Sequence, residues 1–353
     1  MKPAGKAILR AIIAAVCYGV SAPLSKFLLL RISPTFLAAL LYLGAGGGML
    51  LFSAIARKGS PQQEARITGR ELPLVLAMIV LDIAAPILLM LGLNSASAST
   101  VSLLNNFEIV ATSVIALVLF REAVGKRLWI AILVITLASI LLSVEDASAF
   151  VFSPGALCAL LACVLWGLEN NCTRKLSLRD PLQVVIIKGL GSGAGALAVA
   201  ALSGGLSFSL AYILAALLLG FFAYGLSIYF YVLAQRDLGA ARTSAYYAFA
   251  PFVGVALSFM LFGQAVTLQF LAALGLMVLG ACLAAFERHQ HVHTHACLAH
   301  DHRHNHEDGH HAHTHPFPVQ GEHSHLHLHE EITHTHPHAP DLHHDHAHQG
   351  AQG

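Results

Sequence analysis

Histidine is missing from the first 288 residues, and this absence is the most restrictive feature of the chain. A body without histidine cannot build a Ser-His-Asp or Cys-His nucleophile, and it offers no imidazole to a catalytic metal. Charge is also scarce. Only 11% of residues are Asp, Glu, Lys or Arg, against about 25% in soluble domains. No C-x-x-C occurs among Cys17, Cys158, Cys163, Cys172, Cys282 and Cys297. They read as small buried hydrophobes, not as a disulfide framework or zinc site. No Gly-rich loop ends in Lys-Ser/Thr, so the chain carries no nucleotide site of its own and is not by itself an ATP-driven pump. Enzymatic activity and nucleic-acid partners are not expected.

What remains is apolar. Hydrophobic residues make up 56% of the chain, and they fall into runs long enough to cross a hydrocarbon core of about 30 Å. Ten spans are predicted. The first five are about Ile8 to Leu29, Pro34 to Ala56, Leu72 to Leu93, Ala98 to Phe120 and Leu128 to Val144. The sixth and seventh are about Ser153 to Cys172 and Pro181 to Leu202. A charge-free stretch from Gly189 to Gln235 is too long for one crossing, and Ser203 to Ser207 divides it into the seventh and eighth spans. Gly263-Gln264 divides Thr243 to Phe286 into the ninth and tenth. The basic start at Lys2, Lys6 and Arg10 before the first run resembles a signal peptide, but without a clear small-residue cleavage site it reads as a retained span. Lys and Arg concentrate at the N-terminus and in the loops after spans two, four, six and eight, which predicts a cytoplasmic location for both termini.

The spans repeat. Tyr18-Gly19, then Lys26, then Ser33-Pro34 is echoed by Trp166-Gly167, then Arg174, then Asp180-Pro181. Leu119 to Val124 parallels Leu261 to Val266. Each unit holds five spans, and an odd number inverts the second unit relative to the first. On these motifs the chain resembles the EamA-type transporters of the drug/metabolite transporter superfamily, over about Ala7 to Phe286. The resemblance implies an inner-membrane secondary carrier, often an exporter of small metabolites. Departures stand beside it: Gln264 replaces the Glu kept as Glu122, and Leu41 stands where the second unit has Lys188. Pro251 has no counterpart in span four, where Glu108 and Ile109 stand.

The expected fold is therefore an all-α membrane protein of ten transmembrane helices in two inverted five-helix repeats, with a disordered His-rich tail. The expected units are residues 1–145, 146–286 and 287–353.

Four ionisable residues fall inside spans: Asp82, Glu108, Glu169 and Lys188. Such residues in a bilayer are expensive and default to function. Asn105, Glu108 and Thr112 share one helical face, with Asn106 beside them. Glu169 is followed by Asn170 and Asn171. The acids outnumber the single base, so Lys188 is expected to neutralise Glu108 or Asp82, and Glu108 to carry a coupling proton. Tyr18 and Trp166 are candidate cavity aromatics. The alternative is that the ionisable groups only satisfy one another and lock helices together.

All 23 histidines lie from His289 onward. They alternate, as in His289/His291/His293/His295, His300/His302/His304/His306 and His323/His325/His327/His329. Imidazoles at this density suit Zn, Ni, Co or Cu. No cofactor is required by the body. Three readings follow: a proton-coupled carrier of a small polar metabolite whose tail binds divalent metal, a divalent-metal carrier whose tail collects its substrate, and a metal-responsive membrane sensor. The lipid bilayer and a small-molecule or ion substrate are the expected partners, and a homodimer is compatible with the pattern.

Overall fold

The computed structural model describes residues 3–56, 67–120, 125–146, 151–173, 176, 179–206, 209–238, 243, 246–285, 289–295, 298–304, 323–329 and 332–338. The described body is mostly helical. The first half holds α1 (Pro3–Gly19), α2 (Ser21–Leu28), α3 (Pro34–Ala56), α4 (Leu72–Ser95), α5 (Ala98–Leu104), α6 (Phe107–Phe120) and α7 (Lys126–Ser143). The second holds α8 (Pro154–Thr173), α9 (Pro181–Leu202), α10 (Leu210–Gly220), a π-helical segment Phe221–Leu226, α11 (Ser227–Leu238), α12 (Ala250–Phe262) and α13 (Leu268–Ala285). Among the described residues, eight helical stretches are long and apolar enough to cross a membrane, counting α1–α2, α5–α6 and α10–α11 as one each. Two shorter apolar helices, Ala250–Phe262 and Leu268–Ala284, follow.

Side chains sort as lipid solvent requires. Leu51, Ile55, Val80, Met260 and Leu268 are exposed apolar residues on the outer faces. Small and branched residues such as Leu37, Ala38, Leu41, Leu93, Ile135 and Ala159 fill the interior. Where α3 and α9 approach closely, glycine permits it. A Cβ added to Gly46 of α3 would lie 2.5 Å from the backbone nitrogen of Leu190 in α9. Gly189 of α9 meets the backbone of Gly46 in return.

The helix pairings follow a pattern. The seam α3 with α9 is the most extensive, and α4 packs on α8, α1 on α11, α7 on α13 and α5 on α12. Secondary contacts join α6 to α8, α1 to α12, α3 to α10 and α4 to α9.

Three spans are not continuous helices. α1 gives way to α2 at Val20, α5 to α6 at Asn105–Asn106, and the residues before α12 break at Ala248–Phe249. The uninterrupted helix expected over Ala98 to Phe120 is thus two pieces. Asparagine is the reason: its amide competes with the backbone, and Asn106 Nδ2 donates to Leu103 O at 3.2 Å. In α4 the helix runs through Pro86, which deprives the Asp82 carbonyl of its helical donor.

A short strand pair, β1 (Val144–Asp146) with β2 (Val151–Phe152), joins the halves. The tail also departs from expectation. Its described backbone forms two antiparallel ladders, β3 (His289–His295) with β6 (Ile332–His338) and β4 (Leu298–His304) with β5 (His323–His329). The His-x-His alternation has the period of a strand, which a reading based on missing apolar periodicity does not register. His306 lies outside the described residues, as do the side chains of the other tail histidines.

Candidate functional site

The interior charges meet at the contacts of α3, α4, α8 and α9. Lys188 Nζ lies 3.0 Å from Asp82 Oδ2 and 3.1 Å from Glu169 Oε2. Tyr42 Oη donates to Asp82 Oδ1 at 3.1 Å. The Asp82 side chain is fully enclosed and that of Glu169 nearly so. Trp166 is buried on α8, one helical turn before Glu169. Three helices, α4, α8 and α9, are thus tied through one ammonium group, and Tyr42 adds α3 through Asp82.

This arrangement chooses between the two expected pairings. Lys188 serves Asp82, as one alternative had it, and takes Glu169 as its second partner; no ion pair of Glu108 occurs among the described residues. The packing of α8 and α9 on α4 brings Glu169 and Lys188 within ion-pair distance.

Glu108 is held differently. It lies in the first turn of α6, just after the break at Asn105–Asn106, where the aligned peptide dipoles of the helix favour a carboxylate. Asn170 Nδ2 donates to Glu108 Oε1 at 2.6 Å and lies 3.5 Å from Thr112 Oγ1. Asn171 Nδ2 bonds the carbonyls of Thr112 and Gly167 at 3.0 and 2.8 Å. The two amides after Glu169 therefore zip α8 to α6. Glu108 and Thr112 share a face as expected, both reaching Asn170. Asn105 stands across the helix break from them.

Above the charges runs a file of tyrosines. Ring centroids are 5.4 Å apart for Tyr42–Tyr224, 6.0 Å for Tyr224–Tyr18, 5.8 Å for Tyr18–Tyr247 and 4.9 Å for Tyr247–Tyr231. Tyr224 sits in the π-helical segment, and Ser21 Oγ donates to its hydroxyl at 3.0 Å. A hollow with room for little more than one water molecule opens here, lined by Tyr18, Ser21, Ser102, Asn105, Tyr224 and Pro251. Each interrupted span and the π-helical segment border it. Irregular backbone at membrane depth is tolerated where it lines a cavity.

Sequence reasoning missed Tyr42, Tyr224, Ser21 and Ser102. Each lies in an uncharged run, and its role depends on helices far away along the chain. Tyr42 had one signal, a hydroxyl in the most apolar part of its span. Two motif residues acquire a reason. Lys26 Nζ donates to the carbonyls of Leu93, Asn94 and Ala96, so a cation caps the C-terminus of α4. Gln264 receives the hydroxyl proton of Ser99. The counterpart of Lys26, Arg174, lies outside the described residues, as does Glu122.

A helical bundle with lipid-facing apolar surfaces, interrupted spans and a buried cluster of charges defines a multi-pass membrane protein. The profile of the EamA-like transporter family matches residues 5–144 and again 153–286, and the chain belongs to that family. It is 28% identical over 271 residues to an uncharacterized transporter of Methanothermobacter thermautotrophicus, covering 71% of this chain and 77% of that one. A crystal structure at 19% identity superposes with a TM-score of 0.59, over 79% of this chain and 95% of the other, which supports the fold. At the level of the family, the protein is a membrane transporter of small substrates.

Proposed function

We propose that the chain is a proton-coupled secondary carrier that exports a small polar organic solute across the inner membrane, with both termini in the cytoplasm. The observation that carries this reading is the excess of buried acid. Three carboxylates, Asp82, Glu169 and Glu108, face one ammonium, Lys188. Lys188 compensates the first two in part, and Glu108 is left with an amide donor and a helix N-terminus. Such a group binds and releases a proton without dismantling an ion pair.

The bundle reads as two inverted five-helix repeats, 1–145 and 146–286. Support comes from the pairing pattern. Exchanging each span for the one five places along converts every pairing given above into another of the set or into itself. The breaks in spans four and nine also correspond.

A divalent-metal substrate is less well supported, because Lys188 occupies the place between Asp82 and Glu169 that a metal ion would need. Metal binding is assigned instead to the tail. Along β3 and β6 His291 stands opposite His336 and His293 opposite His334. Along β4 and β5 His300 stands opposite His327 and His302 opposite His325. Imidazole suits Zn, Ni, Co and Cu, and the register sets histidine opposite histidine along both ladders.

Two outcomes test this reading. In proteoliposomes, Glu108→Gln is expected to abolish solute movement driven by a pH gradient while leaving the protein folded; full pH-driven transport by that variant would overturn the coupling. Removal of residues 287–353 is expected to eliminate Ni and Zn binding in a calorimetric titration and to leave organic solute transport intact. Loss of transport together with the tail would return the metal to the centre of the mechanism.

A further inference from the structure

We propose that the hollow between the interrupted spans receives an ammonium group of the transported solute, with Asn105 and Ser102 as its hydrogen-bond acceptors and Tyr18 and Tyr224 as its walls. This rests on the reading of the bundle as a solute carrier and names the substrate class.

Three observations converge. The first is unspent polarity. Ser102 is 2% exposed, and neither its Oγ nor Asn105 Oδ1 has a hydrogen-bond partner. Both line the hollow. A buried polar atom left unpaired costs about 1–3 kcal/mol, so a site that retains two of them is built to pair with something else. An amide oxygen only accepts, so its partner must be an N–H or O–H donor.

The second is shape and surface. The rings of Tyr18 and Tyr224 stand edge to face at 79° against the hollow. Aromatic faces attract cations, most strongly where water is excluded. The space suits a group about the size of water, which an ammonium is and a carboxylate is not. No charged side chain lines the hollow.

The third is the sign of the surroundings. Tyr42 connects Tyr224 to Asp82, and beyond it Asp82 and Glu169 share Lys188 while Glu108 bonds an amide. A cation in the hollow completes the charge balance, and an anion worsens it. Glu108, in the first turn of its helix, lies three residues after Asn105, so a proton held there and a cation held in the hollow compete electrostatically. Exchange of one for the other follows from that competition.

The test uses the full chain in detergent and three small probes on the same two-carbon skeleton: ethanolamine, ethylene glycol and, as the anion, glycolate. Thermal unfolding is recorded against probe concentration. Ethanolamine is expected to raise Tm saturably at millimolar concentration, and the two others to leave it unchanged. Ser102→Ala and Asn105→Leu are each expected to weaken the apparent affinity by about tenfold, the worth of one hydrogen bond. Ser102→Ala removes a single oxygen and keeps the helix, so it guards against misfolding of the other variant. An equal response to glycolate or ethylene glycol, no response to ethanolamine, or unchanged affinity in Ser102→Ala overturns the proposal. Proton movement in proteoliposomes, read with a trapped pH dye against protein-free vesicles, separates the two readings. Ethanolamine that binds without moving protons defeats the coupling and leaves this site standing. Glycolate-driven proton movement keeps the carrier and defeats the site.

Discussion

Replacing Lys188 by Met is expected to unfold the bundle more severely than any other single polar substitution. The ammonium lies between Asp82 and Glu169, and its removal leaves two carboxylates facing each other away from water. Deleting one partner of a buried ion pair costs on the order of 3–5 kcal/mol, a large share of the 5–15 kcal/mol that holds a typical domain together. The cost arises from the uncompensated charge and not from lost contact area, which makes a rescue possible. The triple variant Lys188→Met, Asp82→Asn, Glu169→Gln removes the charges together and is expected to recover most of the thermal stability while remaining inactive. Size-exclusion profiles of detergent-solubilised protein and a Tm series measure both. If Lys188→Met alone kept its wild-type Tm, the ion pairs described above would not be what ties α4, α8 and α9 together.

The second large effect concerns backbone and not charge. Gly46→Ala and Gly189→Ala each place a methyl group into the opposing helix backbone across the α3–α9 seam. Nothing flexible can yield there, so the helices must separate. Overpacking alone costs about 1–3 kcal/mol, and separation of the longest seam also loosens Lys188 against Asp82. Insertion and yield are expected to fall sharply for either variant. Gly47 is the control, one residue along the same helix. A Cβ there meets nothing within 4 Å, and Gly47→Ala is expected to be neutral or to gain up to about 1 kcal/mol from helix propensity. Equal yields of Gly46→Ala and Gly47→Ala, read from fluorescence of a C-terminal fusion, would contradict the close approach.

Much of this was legible along the chain because the bilayer imposes a one-dimensional rule. A segment must bury its backbone polar groups in helix and present apolar side chains over a set length. Second and seventh spans therefore match the helices α3 and α9 at both ends. Intramembrane charge is costly enough to be conspicuous, and Asp82, Glu108, Glu169 and Lys188 stood out for that reason. The helix break was less legible. Two asparagines beside a Glu read as a polar face, and the competition of their amides with the backbone showed only as a divided span. The tail misled in the opposite direction, since alternating histidines lack the apolar signal by which strands are usually recognised.

Sequence by itself determined the class of protein, the eight stretches long and apolar enough to cross and the identity of the interior charges, because each depends on transfer from water to lipid, a property of local composition. Tertiary structure decided which acid Lys188 serves, that Asn170 and Asn171 join α8 to α6, and that Tyr42, Tyr224, Ser21 and Ser102 belong to the site. Those contacts span separations of 19 to 203 residues, and Coulomb attraction and hydrogen bonding act over a few ångströms. Only the packing of the helices brings such groups within that range.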